Sequence, residues 1–272
     1  MGAEAAQAAE VVRVRGHEAR AASDWLAIER PLEIRARVGG TTRVLSTTMR
    51  TPGDDRALVA GFLFGEGVIG HARELLALES VEEDAVLVEL GAEALAALEA
   101  AHRPFVTTGA CGVCGRTSVE GLRSAGTLQA TPPPVWTVSA QVIHGLPGAL
   151  REAQATFDRT GGLHAAGLFS PDGTLRALHE DVGRHNAVDK LVGTMLLSDR
   201  LPATDAVLLV SGRASFELVQ KAAAAGVAVM VAVGAPSSLA VQIAQASDLT
   251  LVGFAREQRF NVYTGAQRLA GI

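Results

Sequence analysis

The feature that most constrains the fold is a series of short, almost wholly apolar runs in the second half of the chain. Ala206-Val207-Leu208-Leu209-Val210, Val227 to Val233 and Leu249 to Phe254 carry hardly a polar residue. A strand with one face in water alternates, whereas a run that is apolar at every position has both faces covered. Helices are expected between these runs, at Phe216 to Ala225 and Leu239 to Gln245, and before them at about Arg184 to Leu197 and Ser139 to Phe157. Two further strands, Leu163 to Phe169 and Leu175 to His179, flank Pro171-Asp172-Gly173. Strands alternating with helices predict an α/β domain over residues 135–272, with a mainly parallel sheet.

The first half reads differently. Residues 1–20 are small and polar in composition and are expected to be a loose tail. Leu32 to Val38 alternates, Gly39-Gly40 follows, and Thr42 to Thr48 alternates again, the pattern of a β-hairpin. Thr51-Pro52-Gly53-Asp54-Asp55 then opens a helix that is expected to reach about Val68, with Asp54 or Asp55 as its N-cap. A strand is expected between Val81 and Leu90. Residues 21–106 would thus form a small α+β domain. Residues 107–134 form a junction that ends in Pro132-Pro133-Pro134, a stiff extended segment.

That junction holds both cysteines of the 272-residue chain, in Thr108-Gly109-Ala110-Cys111-Gly112-Val113-Cys114-Gly115. Glycines on either side imply a loop with wide backbone freedom. A core cysteine is a small apolar residue and needs no such setting. Three chemistries use a C-x-x-C pair. Zinc requires about four ligands, and no second pair or histidine lies at short spacing. Thiol–disulfide exchange favours a helix N-terminus behind the pair, and Gly115-Arg116-Thr117-Ser118 starts none. A persulfide carrier needs an exposed cysteine on a movable loop, which the glycines supply.

Composition narrows the setting. A net charge of −5 gives no general footprint for nucleic acid. Positive charge is almost all arginine, with Lys190 and Lys221 the only lysines, so local anion sites remain open. Paired cysteines in one motif fit a reducing compartment, and the alanine- and glutamate-rich start lacks the features of a signal peptide. No run approaches a membrane span. A cytoplasmic protein without nucleic-acid or membrane partners is expected.

Ligand-binding candidates fall at strand ends. Ser211-Gly212-Arg213-Ala214-Ser215 and Gly234-Ala235-Pro236-Ser237-Ser238 each join an apolar run to a helix, where free N–H groups bind anions. Arg213 adds a bidentate donor, and Ser211, Gly212 and Ser237 lie beside it in these turns. Each turn, taken singly, is more often an ordinary capped helix start; two of them on neighbouring strands bring a nucleotide-type ligand level with that reading. In Glu180-Asp181-Val182-Gly183-Arg184-His185-Asn186-Ala187-Val188-Asp189-Lys190, His185 and Asp189 are i,i+4 neighbours that can pair. His164, in Thr160-Gly161-Gly162-Leu163-His164, could face the same cleft. After the last apolar run, Phe254-Ala255-Arg256-Glu257-Gln258-Arg259 brings two arginines to a strand end, either as a solvated edge or as a phosphate clamp.

With these stretches in view, the chain resembles the formate dehydrogenase accessory sulfurtransferases, the FdhD family. The resemblance rests on Met49 to Asp55 with Gly61-Phe62-Leu63, on Thr108 to Gly115 and on Thr160 to Ala166. It rests further on Glu180 to Lys190, on Ser211-Gly212-Arg213 with Ser215 and Glu217, and on Leu251 to Phe254 with Arg256. The resemblance implies that sulfur arrives from a cysteine desulfurase as a persulfide on Cys111, with Cys114 as its partner. It implies delivery to the molybdenum cofactor in its bis-molybdopterin guanine dinucleotide form, before insertion into the formate dehydrogenase catalytic subunit. GDP would then mimic part of the bound substrate. It further implies a cytidine deaminase-like larger domain, a homodimer, and a cofactor-contacting loop at Phe254 to Arg259. The deaminase signature H-x-E is missing, so deaminase chemistry does not follow. The rival functions are a cofactor-binding chaperone and a zinc hydrolase.

Overall fold

The computed structural model describes residues 5–101 and 136–272. The cysteine motif and the proline segment lie outside these residues.

The chain begins with an antiparallel hairpin, β1 (Ala6–Arg15) and β2 (Glu18–Ala27). This overturns the expected loose tail. The ribbon has solvent on much of both faces, so its alternation, Val12 and Val14 against Arg13 and Arg15, does not sort into core and surface. It is joined to the body through Trp25, whose ring lies 4.1 Å under the Arg159 guanidinium.

A four-stranded sheet follows, in the order β4-β3-β6-β5. Its members are β3 (Arg30–Val38), β4 (Thr41–Arg50), β5 (Leu75–Glu82) and β6 (Ala85–Leu90). Gly39 and Gly40 both take positive φ, as a two-residue turn matching the strand twist requires. Leu32, Ile34 and Ala36 of β3 and Val86, Val88 and Leu90 of β6 face one way. They pack on Leu58, Val59 and Leu63 of helix α1 (Asp55–Gly65). Helix α2 (Leu95–Ala101) closes this layer.

The larger layer holds a six-stranded sheet, ordered β13-β12-β11-β10-β8-β9. A short strand β7 (Val138–Ser139) and helices α3 (Ala140–Ala153) and α4 (Ala155–Thr160) precede it. Then come β8 (His164–Phe169), β9 (Leu175–Asp181), α5 (Arg184–Leu197), β10 (Val207–Val210), α6 (Phe216–Ala224), β11 (Val229–Ala232), α7 (Ser238–Ala246), β12 (Thr250–Arg256) and β13 (Arg259–Thr264). A final strand, β14 (Leu269–Ala270), pairs with β7. The apolar runs are explained by burial on both faces. Leu208, Val210, Met230, Ala232 and Leu251 meet α5, α6 and α7. Val207, Leu209, Val229, Val231 and Val252 meet Ile143, Leu146 and Leu150 of α3. Only the β10–β11 and β11–β12 pairs are parallel, so the sheet is mixed rather than mainly parallel. The outer strands β9 and β13 are reached by tight turns, which can only return antiparallel.

The two layers meet where α1 crosses α5. A Cβ placed on Gly61 would stand 1.9 Å from the Asp189 carbonyl oxygen, and one on Gly193 would stand 1.8 Å from that of Ala57. The two backbones touch directly, and only glycine fits at either position.

Candidate functional site

The carboxyl ends of β10, β11 and β12 form one continuous edge. The loop after β10 bonds to the loop after β11: Gly234 N donates to Gly212 O at 2.9 Å, Ala214 N to Ala235 O at 3.1 Å, and Ser237 N to Ala214 O at 3.0 Å. The loop after β11 meets β12 through Phe254 N donating to Gly234 O at 3.0 Å. Two glycines permit this contact. A Cβ on Gly234 would be 2.9 Å from Arg213 Cγ, and one on Gly253 would be 2.9 Å from Pro236 Cδ. Phe254 takes φ 54°, in the left-handed region, at a bulge in the β12–β13 pairing, and its ring is exposed. A phenylalanine there is strained, which singles out the position.

The candidates sort clearly along this edge. Arg213, Arg256 and Arg259 are exposed, and their guanidinium groups have no partner among the described residues. Glu257 and Gln258 form the exposed turn between β12 and β13. Ala255 is fully buried, so its methyl group belongs to the core rather than to the edge. Ser237 is the N-cap of α7, accepting from Ala240 N at 3.2 Å, the ordinary role of a serine at a helix start. Ser215 occupies the same place on α6 without making the cap bond; its hydroxyl lies 3.3 Å from His185 Nε2 instead. Ser211 Oγ accepts from Ala165 N at 2.9 Å and ties β10 to β8.

His164, at the head of β8, reaches the same edge because β8 runs antiparallel to β10. Its Nδ1 lies 3.5 Å from the position of a Cβ on Gly212. Burial, then the charges of Arg184 and His185, hold its pKa below the usual histidine value, with Asp181 acting the other way. The expected pairing of His185 with Asp189 does not form. His185 Nε2 lies 2.8 Å from Glu217 Oε2, while Asp189 pairs with buried Lys221. An i,i+4 spacing permits a pair on one helix, but α6 supplies both residues with a partner across the core.

Sequence reasoning missed the buried network behind this edge. Asp181 is fully buried. Its carboxylate receives Lys190 Nζ at 2.7 Å, Gly183 N at 2.8 Å, Asn186 Nδ2 at 3.0 Å and Thr51 N at 3.2 Å. Lys190 Nζ also donates to Thr51 O at 2.8 Å, and Asn186 Nδ2 to Met49 O at 2.7 Å. The Met49–Thr51 and Glu180–Lys190 stretches are therefore one unit spanning both layers. Two polar residues at the mouth of an apolar helix were the visible signal, but their partners lie 130 to 139 residues upstream.

Such an edge defines the class. This is an α/β protein whose strand-end loops and exposed arginines meet along one sheet edge, the place where open α/β sheets take their ligands. The particular family follows from comparison. The FdhD/NarQ family matches residues 27–270, and the chain belongs to it. It is 48% identical over 254 residues to the "Sulfur carrier protein FdhD" of Nocardia farcinica, covering 92% of this chain and 89% of that protein. The protein of the same description from Saccharolobus solfataricus is 40% identical, covering 96% of each. A crystal structure from Desulfotalea psychrophila, assigned as a formate dehydrogenase accessory protein, superposes with a TM-score of 0.76 at 26% identity. That match covers 98% of this chain and 100% of the other.

Proposed function

We propose that the protein is a sulfur carrier that serves formate dehydrogenase and acts as a sulfurtransferase. In this reading Cys111 accepts sulfur from a cysteine desulfurase as a persulfide, with Cys114 beside it in the motif. The acceptor is the bis-molybdopterin guanine dinucleotide form of the molybdenum cofactor, held as a substrate before it enters the formate dehydrogenase catalytic subunit. The protein works in the cytoplasm as a homodimer. We read its larger layer as cytidine deaminase-like, without the H-x-E signature of that chemistry.

The observation that carries the reading is the shared edge of three strand-end loops. Its charges suit nucleotide diphosphates, since Arg213, Arg256 and Arg259 are exposed and unpaired among the described residues. The Nε atom of Arg184, buried and without a partner among them, also fits an anionic visitor. Phe254 offers an exposed ring beside the arginines, a surface on which a base can stack. The chain's own residues would bind and orient the nucleotide ends; the cofactor, when bound, supplies the atom that takes the sulfur.

The test uses purified protein incubated with a cysteine desulfurase and cysteine, followed by mass spectrometry of each cysteine. The wild type and Cys114→Ala are expected to gain the mass of one sulfur on Cys111. Cys111→Ala is expected to gain none and to leave formate dehydrogenase inactive. Full sulfur on Cys114 in Cys111→Ala, with activity retained, would move the role to Cys114. No sulfur on either cysteine of the wild type would leave a cofactor chaperone as the function.

A further inference from the structure

We propose that His164 is the proton-linked member of the anion-binding edge: neutral in the free protein, it takes up a proton when a diphosphate binds beside it. The inference rests on the nucleotide reading above and adds a role for one residue.

The geometry sets up the role. The His164 ring lies against Gly212, in the first strand-end loop. The charged groups that bear on it are Arg184 and His185 from α5 and Asp181 from β9. Neither nearby carboxylate is free to balance an imidazolium. Asp181 already receives Lys190 and three further donors, and it is fully buried. Glu217 faces His185 at 2.8 Å. Arg184 makes no ion pair among the described residues, and its Nε is buried without a partner. His164 therefore has the Arg184 guanidinium as its unpaired charged neighbour, with both local carboxylates committed elsewhere. Burial, then the Arg184 charge, holds the pKa of His164 below the usual histidine value and favours the neutral ring.

A diphosphate at this edge supplies the missing counter-charge. It would lie near Arg184 and the exposed Arg213, and it offsets the repulsion and the burial that kept His164 neutral. The pKa of His164 then rises on binding, so binding takes up a proton, and protonation in turn tightens binding. The sign follows: affinity increases as pH falls. For one linked proton the slope is at most about tenfold per pH unit. A bound phosphate has its own ionisation near pH ~6, so the contribution of His164 is read as a difference between wild type and variant.

The experiment is calorimetry of GDP binding to the full-length protein near neutral pH, in two buffers of different ionisation enthalpy. The apparent enthalpy difference gives the protons taken up. The wild type is expected to take up a fraction of a proton more per GDP than His164→Gln, and the ratio of their affinities is expected to grow as pH falls. His164→Asn serves if the glutamine variant does not fold. Independently, the assigned His164 ring resonances of the wild type should move toward the imidazolium position on saturation with GDP. Equal proton uptake in wild type and variant, or unmoved ring resonances, would overturn the role of His164 while leaving nucleotide binding intact. Absence of GDP binding to both proteins at low salt would instead remove the nucleotide reading and this inference with it.

Discussion

Replacing Gly193 by alanine separates two opposing effects whose sizes are known. In a free helix the change stabilises, by up to about 1 kcal/mol. At the α1–α5 crossing it meets backbone. The new methyl carbon would stand 1.8 Å from the Ala57 carbonyl oxygen and 2.8 Å from Gly61 N. A carbon needs about 3.3 Å from a carbonyl oxygen, so the helices must part by roughly 1.5 Å. Overpacking a tight core costs about 1–3 kcal/mol, and the upper end applies here because both clashing groups are main chain. The balance is a net loss of about 2 kcal/mol. Urea unfolding followed by far-ultraviolet circular dichroism measures it. With a slope of about 2–3 kcal/mol/M, the midpoint should fall by roughly 0.7–1 M at constant slope. Gly61→Ala should behave alike, and the double variant should cost less than the sum, since one separation of the helices relieves both clashes. A Gly193→Ala protein as stable as the wild type, or more so, would refute the direct backbone contact between the layers.

Three further outcomes are expected. Lys190→Met leaves the fully buried Asp181 without its cation and should lower stability by about 3–5 kcal/mol in chemical unfolding; a loss below about 1 kcal/mol would mean that the backbone donors suffice. Asp54→Asn replaces the carboxylate that meets His179 Nδ1 at 3.1 Å, a contact that holds the Asp54 carboxyl below the usual range, by a neutral acceptor. Because that folded-state pKa is depressed, its stabilisation is present above the ordinary carboxylate pKa and is lost as pH falls through the depressed one. Asp54 is largely exposed, so the difference near neutral pH should stay below about 1 kcal/mol, and the wild-type and variant melting temperatures should converge in acid; a gap that does not narrow would contradict this. Arg213→Ala should weaken GDP binding more than Arg73→Ala does, and equal affinities would remove Arg213 from the edge.

The sequence disclosed those elements whose burial writes a simple pattern. Helix α5 spans Arg184–Leu197, as expected, because its entry is marked by polar residues and its body is apolar. Strands β10, β11 and β12 appear within a residue or two of the apolar runs. Edge elements were obscure. β13 reads Arg259-Phe260-Asn261-Val262-Tyr263-Thr264, with polar residues that solvent accepts at a sheet margin, and the sequence reading passed over it. The same holds for β5, where Leu76 is exposed at the edge. The expected single helix from Ser139 to Phe157 is two, α3 and α4, divided at buried Gln154.

Pairing across the fold was the least legible quantity, and it alters what the site residues mean. The Glu180–Lys190 stretch looked like a cluster of ligand-binding groups. Most of it is spent inward. Asp181, Asn186 and Lys190 hold Met49 and Thr51, and Asp189 holds Lys221. Burial works against the Lys221 cation, yet the Asp189 carboxylate keeps its pKa above the usual lysine value. Both lysines of the chain are thus committed to the interior, which leaves arginine to meet any anion at the surface. His185 reaches the strand-end loops, with its Nε2 3.3 Å from Ser215 Oγ, and Arg184 precedes it at the start of α5. They project from the corner between β9 and α5, and that corner is fixed by Lys190 donating to Thr51 O and lying against Asp181. The inward residues therefore act on the edge by holding this corner still. A change at Lys190 should displace Arg184 and His185 as well as destabilise the fold, whereas a change at Arg213 should touch ligand affinity alone.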